Sequence, residues 1–228
     1  MVLMKTFSFV IPTYNRYDLL HQVLYDIYQK CSPVHEVIVV DDCSTEESYT
    51  SGLRWWKGNG MLPIRHVRMK ENSMFLKASN AGLKRATGDI VCLLSNDVRL
   101  HGDVVRETIL ALEENAKRLI GGRLLDFDTG WNTFKGAPPF WYIEGWMLTT
   151  WNTSWKDWGY LDERFAPSDM EDVDISTTAM ARGYRLFALP ADMTQHLGGQ
   201  SIGFNPAREA ITIANKEKFR RKWIENEK

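Results

Sequence analysis

Ile90-Val91-Cys92-Leu93-Leu94-Ser95-Asn96-Asp97-Val98 is the stretch from which the fold is read. Five apolar residues run straight into Ser-Asn-Asp. A run this short, entered through Gly88-Asp89 and left through polar residues, predicts a buried strand of a parallel sheet. Its last residues then lie at the carboxyl edge, where open α/β sheets bind ligands. Asp97 becomes a carboxylate delivered to that edge by a rigid element, suited to a magnesium or manganese ion that carries phosphates. An ordinary Asx turn closing a strand is the plainer reading of the same residues.

The chain upstream repeats the pattern. Phe7 to Ile11 predicts a strand stopped by Pro12-Thr13, with Tyr14, Asn15 and Arg16 in the loop that follows. Leu19, Leu20, Val23, Leu24 and Ile27 mark one face of a helix ending near Lys30. Val37 to Val40 runs into Asp41-Asp42, two carboxylates that need a cation or a donor group to lie together. A helix within Glu46 to Lys57 and a strand over Ile64 to Val67 come next. The Trp55-Trp56 pair reads as packing. A helix from Phe75 to Arg85 contains Asn80 and Gly82, poor helix formers whose presence implies a close approach to another element or to a ligand. A helix over Val104 to Asn115 follows the anchor strand. Strand and helix alternate four times, which calls for an α/β fold: a mostly parallel central sheet with helices on both faces.

The chain has 228 residues and a net charge of -1, so bulk attraction to nucleic acid is not expected. Cys31, Cys43 and Cys92 form no pattern and read as free thiols of a reducing compartment. The start lacks a signal-peptide pattern and no stretch is long enough to span a bilayer, so a soluble, cytoplasmic protein is expected, with the inner face of the membrane as a place it visits. No glycine-rich dinucleotide or phosphate loop is present. Acidic and amide side chains follow the strands instead: Asp41, Asp42, Asn96 and Asp97. Such groups suit a nucleotide whose phosphates are gripped through a metal.

The rhythm changes after Leu119 to Leu124. Between Asp126 and Gly159 lie six of the nine tryptophans, Trp131, Trp141, Trp146, Trp151, Trp155 and Trp158. Their faces either stack on sugar rings or pack a layer on the sheet. Trp141 and Trp146 stand out because Glu144-Gly145 lies between them. Asp169 to Ile175 opens a helix with Glu171, Asp172 and Asp174. Acidic residues complement a helix start, yet four carboxylates in six residues exceed what capping needs, and crowding makes one of them a candidate general base. Arg185 to Leu189 predicts a strand. His196, in a glycine-flanked loop, is a candidate to complete a metal shell with Asp97. From Pro206 the chain is helical and increasingly basic: a solvated helix, or a membrane-surface or partner helix.

In order and spacing these motifs resemble the family 2 glycosyltransferases of the GT-A fold, nearest to bacterial rhamnosyltransferase-like members. Phe7 to Arg16 resembles the first strand and nucleotide loop, and Val39 to Ser44 the second. Asn80 to Leu94 resembles the approach to the metal motif. Gly159 to Phe165, Glu171 to Asp174 and His196 to Ser201 resemble acceptor-side elements. The resemblance covers roughly residues 6 to 203. It implies one domain over 1–228, with a nucleotide-sugar half (1–124), an acceptor-side half (125–205) and a C-terminal helix (206–228).

By that resemblance Pro12 to Arg16, Asp41, Asp42, Asn80, Asn96 and Asp97 hold the nucleotide, with Asp42 on the uracil or thymine edge. Asp97 and His196 ligate Mn2+ or Mg2+. Asp172 is the base of an inverting transfer from a UDP- or dTDP-sugar to a glycan hydroxyl. Trp141, Glu144, Gly145, Trp146 and Glu171 line the sugar side. Ser95-Asn96-Asp97 departs from the usual Asp-x-Asp, because Asn96 adds no charge. That departure keeps a second expectation open, a non-catalytic nucleotide-sugar or carbohydrate-binding protein.

Overall fold

The computed structural model describes residues 5–126, 140–198 and 206–225. The first half runs β1 Phe7–Thr13, α1 Tyr17–Lys30, β2 Glu36–Asp41, α2 Glu47–Asn59, β3 Ile64–Arg68, α3 Met74–Leu83 and β4 Ile90–Leu94. Next come β5 Val98–Leu100, α4 Val104–Glu114, β6 Arg118–Gly121 and β7 Leu124–Asp126. Then follow β8 Trp141–Ile143, β9 Met147–Trp151, α5 Asn152–Trp158, α6 Glu171–Ala181, β10 Arg185–Ala188, β11 Thr194–His196 and α7 Pro206–Trp223.

Seven strands form one sheet in the order β10-β6-β9-β4-β1-β2-β3. β1, β2, β3 and β4 are mutually parallel, as the buried apolar runs require. β9 enters antiparallel between β4 and β6. The expected α/β arrangement therefore holds, with one reversed strand near its middle. The chain winds outward from β1 through β2 to β3, then returns to place β4 on the other side of β1. The carboxyl ends of β1 and β4 thus flank a switch in winding direction, the place where such sheets open a crevice.

The alternation of side chains splits the core in two. Cys92 and Leu94 join Phe9, Ile11, Leu24, Trp56 and Val105 on one face of the sheet. Val91 and Leu93 join Val10, Val40, Leu83, Trp155 and Phe219 on the other. Gly82 explains how α3 comes so near. A Cβ there would fall 2.3 Å from Val10 Cγ1 and 2.7 Å from Val40 Cγ2. The close approach expected at Gly82 is therefore helix to sheet. The apolar run Leu119 to Leu124 divides into β6 and β7 at Gly122-Arg123. Trp56 is fully buried and Trp55 about half exposed, so packing accounts for Trp56. Cys31 and Cys92 are buried free thiols and Cys43 is also unpaired. Trp131 and Gly199 to Ser201 lie outside the described residues.

Candidate active site

The crevice starts where β1 and β4 end. Thr13, the last residue of β1, is buried, and its hydroxyl accepts from Asn96 Nδ2 at 3.1 Å. That bond ties the two strand ends across the switch point. Tyr14 is exposed beside it. Pro12 pairs with Val40 inside the sheet. Asn15 and Arg16 both adopt left-handed backbone, φ 52° and 51°. The Asn15 side chain accepts from the amides of Thr45 and Glu46, so it fastens the β1 loop to the loop after β2. Arg16 donates to Asp18, and its cation also feels Asp97.

The paired aspartates are stabilised by different partners. Asp41 is fully buried, and its oxygens accept from the Ser44 amide at 2.7 Å and from the Arg68 guanidinium. Burial pushes its carboxyl up, but His66, Ser44 and the Arg68 charge outweigh this and hold it at about 2. Asp42 Oδ1 accepts from the Ser73 amide at 2.8 Å and hydroxyl at 2.7 Å. Asp41 is thus a clamp between β2 and β3, while Asp42 ties the loop after β2 to Ser73, the residue before α3.

Asp97 leaves β4 for β5, and β5 pairs with β11 so that Val98 lies opposite His196. This register brings His196 Nε2 to 3.3 Å from Asp97 Oδ1. Trp146 stacks on the imidazole, with ring centroids 5.4 Å apart and planes 19° apart. Its indole donates to Glu144 Oε2 at 3.1 Å. Gly122 leaves room for that indole, because a Cβ there would lie 1.8 Å from Trp146 Cη2. One carboxylate oxygen and one imidazole nitrogen form a donor set that suits Mn2+ or Mg2+ with a diphosphate filling the other positions. Among the described residues no group of three or more His, Cys, Asp and Glu side chains is placed to hold a metal ion together.

The residue before Trp146 makes the next link. Gly145 donates its amide to Asp172 Oδ2 at 3.1 Å, and Val173 donates to Asp172 Oδ1 at 2.8 Å. Glu144-Gly145-Trp146 therefore joins the Asp97-His196 pair to Asp172. Burial, with the charges of Glu144 and Asp169, raises the Asp172 carboxyl to about 6 although the two amides pull the other way. Glu171 is buried and one of its oxygens has no partner. Burial and the neighbouring Asp172 charge raise it well above the usual range. A carboxylate poised near 6 accepts a proton at neutral pH and returns it readily.

A family model described as glycosyl transferase family 2 matches residues 8–174, a span that contains every residue of the site described above except His196. The chain belongs to glycosyl transferase family 2. Among curated members it is 33% identical over 90 residues to the uncharacterized glycosyltransferase YwdF of Bacillus subtilis, covering 40% of this chain and 32% of that protein. It resembles the mannosyltransferase PcManGT from Pyrobaculum calidifontis, solved in complex with GDP-Man and Mn2+. There the TM-score is 0.70 at 20% identity, over 88% of this chain and 59% of that one. It also resembles S. aureus TarS 1-349 in complex with UDP, with TM-score 0.61 at 23% identity, over 82% of this chain and 58% of that one. These likenesses show the GT-A fold. The chain spans less than half the length of the curated relatives it matches, 42% and 32% for the first two.

Within this family 2 chain the structure brings Thr13, Asn96, Asp97, His196, Trp146, Glu144, Gly145, Glu171 and Asp172 into one connected group. Among the residues outside that group are Asn80, Trp141 and Asp174. Asn80 is buried and its amide is engaged by Leu161 in both directions, with Glu163 as a further acceptor, so it anchors α3 to the 161–163 loop. Trp141 is exposed on β8, which pairs with β7 outside the large sheet. Asp174 is held by Lys222 and Trp223. Sequence reasoning missed Gly122 and Arg68. Arg68 was within reach, since parallel registration of β2 and β3 sets it opposite Asp41.

Proposed function

We propose that the chain is an inverting glycosyltransferase that moves a sugar from a UDP- or dTDP-linked donor to a hydroxyl of a glycan acceptor. The observation that carries this reading is Asp172, raised to about 6 and joined through Gly145 and Trp146 to the Asp97-His196 pair. Thr13, Tyr14 and Asn96 receive the nucleoside, with Asp42 at the base edge. Asp97 and His196 would hold a divalent cation, which when bound would supply positive charge for the leaving diphosphate. Asp172 takes the proton of the acceptor hydroxyl as that oxygen attacks the anomeric carbon from the face opposite the diphosphate. The Gly145 amide keeps the receiving carboxylate oriented, and Trp146 and Glu144 bound the sugar side.

The GDP-Man and Mn2+ held by one structural neighbour support a nucleotide-diphosphate sugar donor with a divalent cation, and the UDP held by the other supports a pyrimidine base. The motif resemblance to rhamnosyltransferase-like members read from the sequence is the ground for keeping a dTDP-deoxysugar beside UDP-hexoses as a donor. Among the described residues no helix is long and apolar enough to cross a membrane. Any membrane or partner contact falls to the outer face of α7, around the exposed Ile213.

Calorimetric titration with UDP and with dTDP, each with Mn2+ and with chelator, tests the donor end. One nucleotide is expected to bind at least tenfold more tightly with Mn2+, and Asp97→Asn or His196→Ala is expected to abolish that gain. Failure of both nucleotides to bind under either condition would refute the donor assignment.

A further inference from the structure

α7 lies beyond the family match, which ends at residue 174, yet its inner face is spent on the turn that carries Asp172. Arg208 donates to both oxygens of Asp169 at 3.1 and 2.7 Å, and the Thr212 hydroxyl adds a bond at 2.7 Å. Asn215 Nδ2 donates to the carbonyls of Phe165, Ser168 and Asp169 at 2.7, 2.9 and 3.0 Å. Farther along, Lys222 and Trp223 reach Asp174 at 2.9 and 2.7 Å. The helix therefore grips the chain on both sides of Asp172.

The backbone there needs such a grip. Asp169 and Met170 both sit in the left-handed region, φ 71° and 75°, which non-glycine residues hold only when their surroundings over-determine it. Met170 is the cap of α6, so this pair decides where the first turn of α6 begins. The charged and titratable groups that face Asp172 are Glu144 from the β8–β9 turn, Tyr142 from β8, Asp169 and Glu171 from its own segment, and Arg208 from α7. Arg208 is the cation in that set.

We propose that Arg208 and Asn215 are positioning residues: they lock the Asp169-Met170 pair and so set where Asp172 meets the acceptor hydroxyl. The proposal rests on the reading of Asp172 as the base. A lock of this kind lets sequence beyond the shared catalytic unit adjust the base without touching donor or acceptor.

The test is a carbon-detected NMR titration of the Asp172 carboxyl in the whole chain, with hydrogen exchange of the Asp174 amide, which donates to Met170 O at 2.9 Å. In Arg208→Gln the titration midpoint is expected about 1 pH unit above native, because a nearby cation is lost. Arg208→Lys, which keeps the charge, is expected to return most of the way. Exchange at Asp174 is expected to quicken tenfold or more in Arg208→Gln and in Asn215→Ala. A native midpoint with native exchange in Arg208→Gln would overturn the proposal. If Asn215→Ala does not fold, the contrast between the two Arg208 variants decides alone. The readout needs no donor or acceptor, so its failure is separate from failure of the base reading, which would appear as turnover surviving in Asp172→Asn.

Discussion

Gly122 shows how a missing side chain shapes this site. A Cβ there would meet Trp146 at 1.8 and 2.3 Å and Thr194 Oγ1 at 2.7 Å. The indole is part of a packed core, so it must turn or shift to accept even a methyl group. Trp146 is also the flat surface against which His196 lies, and β11 begins at Thr194. Gly122→Ala is therefore expected to loosen His196 from Asp97. UDP affinity measured by calorimetry with Mn2+ should fall about tenfold, a loss of roughly 1.4 kcal/mol, while affinity with chelator stays within twofold of native. Loss of affinity under both conditions would place the damage in the nucleotide pocket instead.

At the scale of elements, α3 packs closely against β1 and β2. Gly82→Ala would press a methyl group into Val10 and Val40, both fully buried. Overpacking of this kind costs about 1–3 kcal/mol, read as a lower urea midpoint at unchanged slope. The same seam shows what the sequence could tell. β1, β2 and β4 are legible because each is a short apolar run buried on both faces. α3 is legible from its periodicity, and Gly82 from being out of place in a helix. Asn80 is equally out of place, but its partner Leu161 lies 81 residues away, so a latch could not be told from a ligand contact. β9 was hidden for a similar reason. Met147-Leu148-Thr149-Thr150-Trp151 has too little alternation to mark a strand, and its identity comes from pairing with β4. β5 and β11 are three residues each, and only their mutual register brings His196 to Asp97. The site's residues were legible as types, while their joining through Glu144-Gly145-Trp146 depends on long-range pairing.

Across the whole molecule, buried carboxylates pull stability in opposite directions with pH. Glu36 fastens β2 to the start of β4 by accepting from Ser8, Thr87 and Arg65. Burial raises it, but those bonds prevail and hold it at about 2, as others hold Asp41. A depressed folded-state pKa contributes stability that is present above the unfolded value near 4 and is lost as pH falls toward 2. Asp172 is raised to about 6, so it contributes stability below about 4 that is lost as pH rises through 6. Urea titrations should therefore show stability falling below pH about 4, with Glu36→Gln flattening that loss and costing on the order of 2 kcal/mol at pH 7. The turn that carries Asp172 pulls the other way, and under the proposed role of Asp172 it trades stability for a poised base.

The role of Asp172 is tested by transfer rate and UDP affinity, with Mn2+, determined side by side for the native chain and Asp172→Asn. Asn cannot take the acceptor proton, so it is expected to lower the rate at least a hundredfold while UDP affinity stays within twofold of native. A variant that binds UDP as the native chain does and still transfers sugar at the native rate would contradict Asp172 as the base.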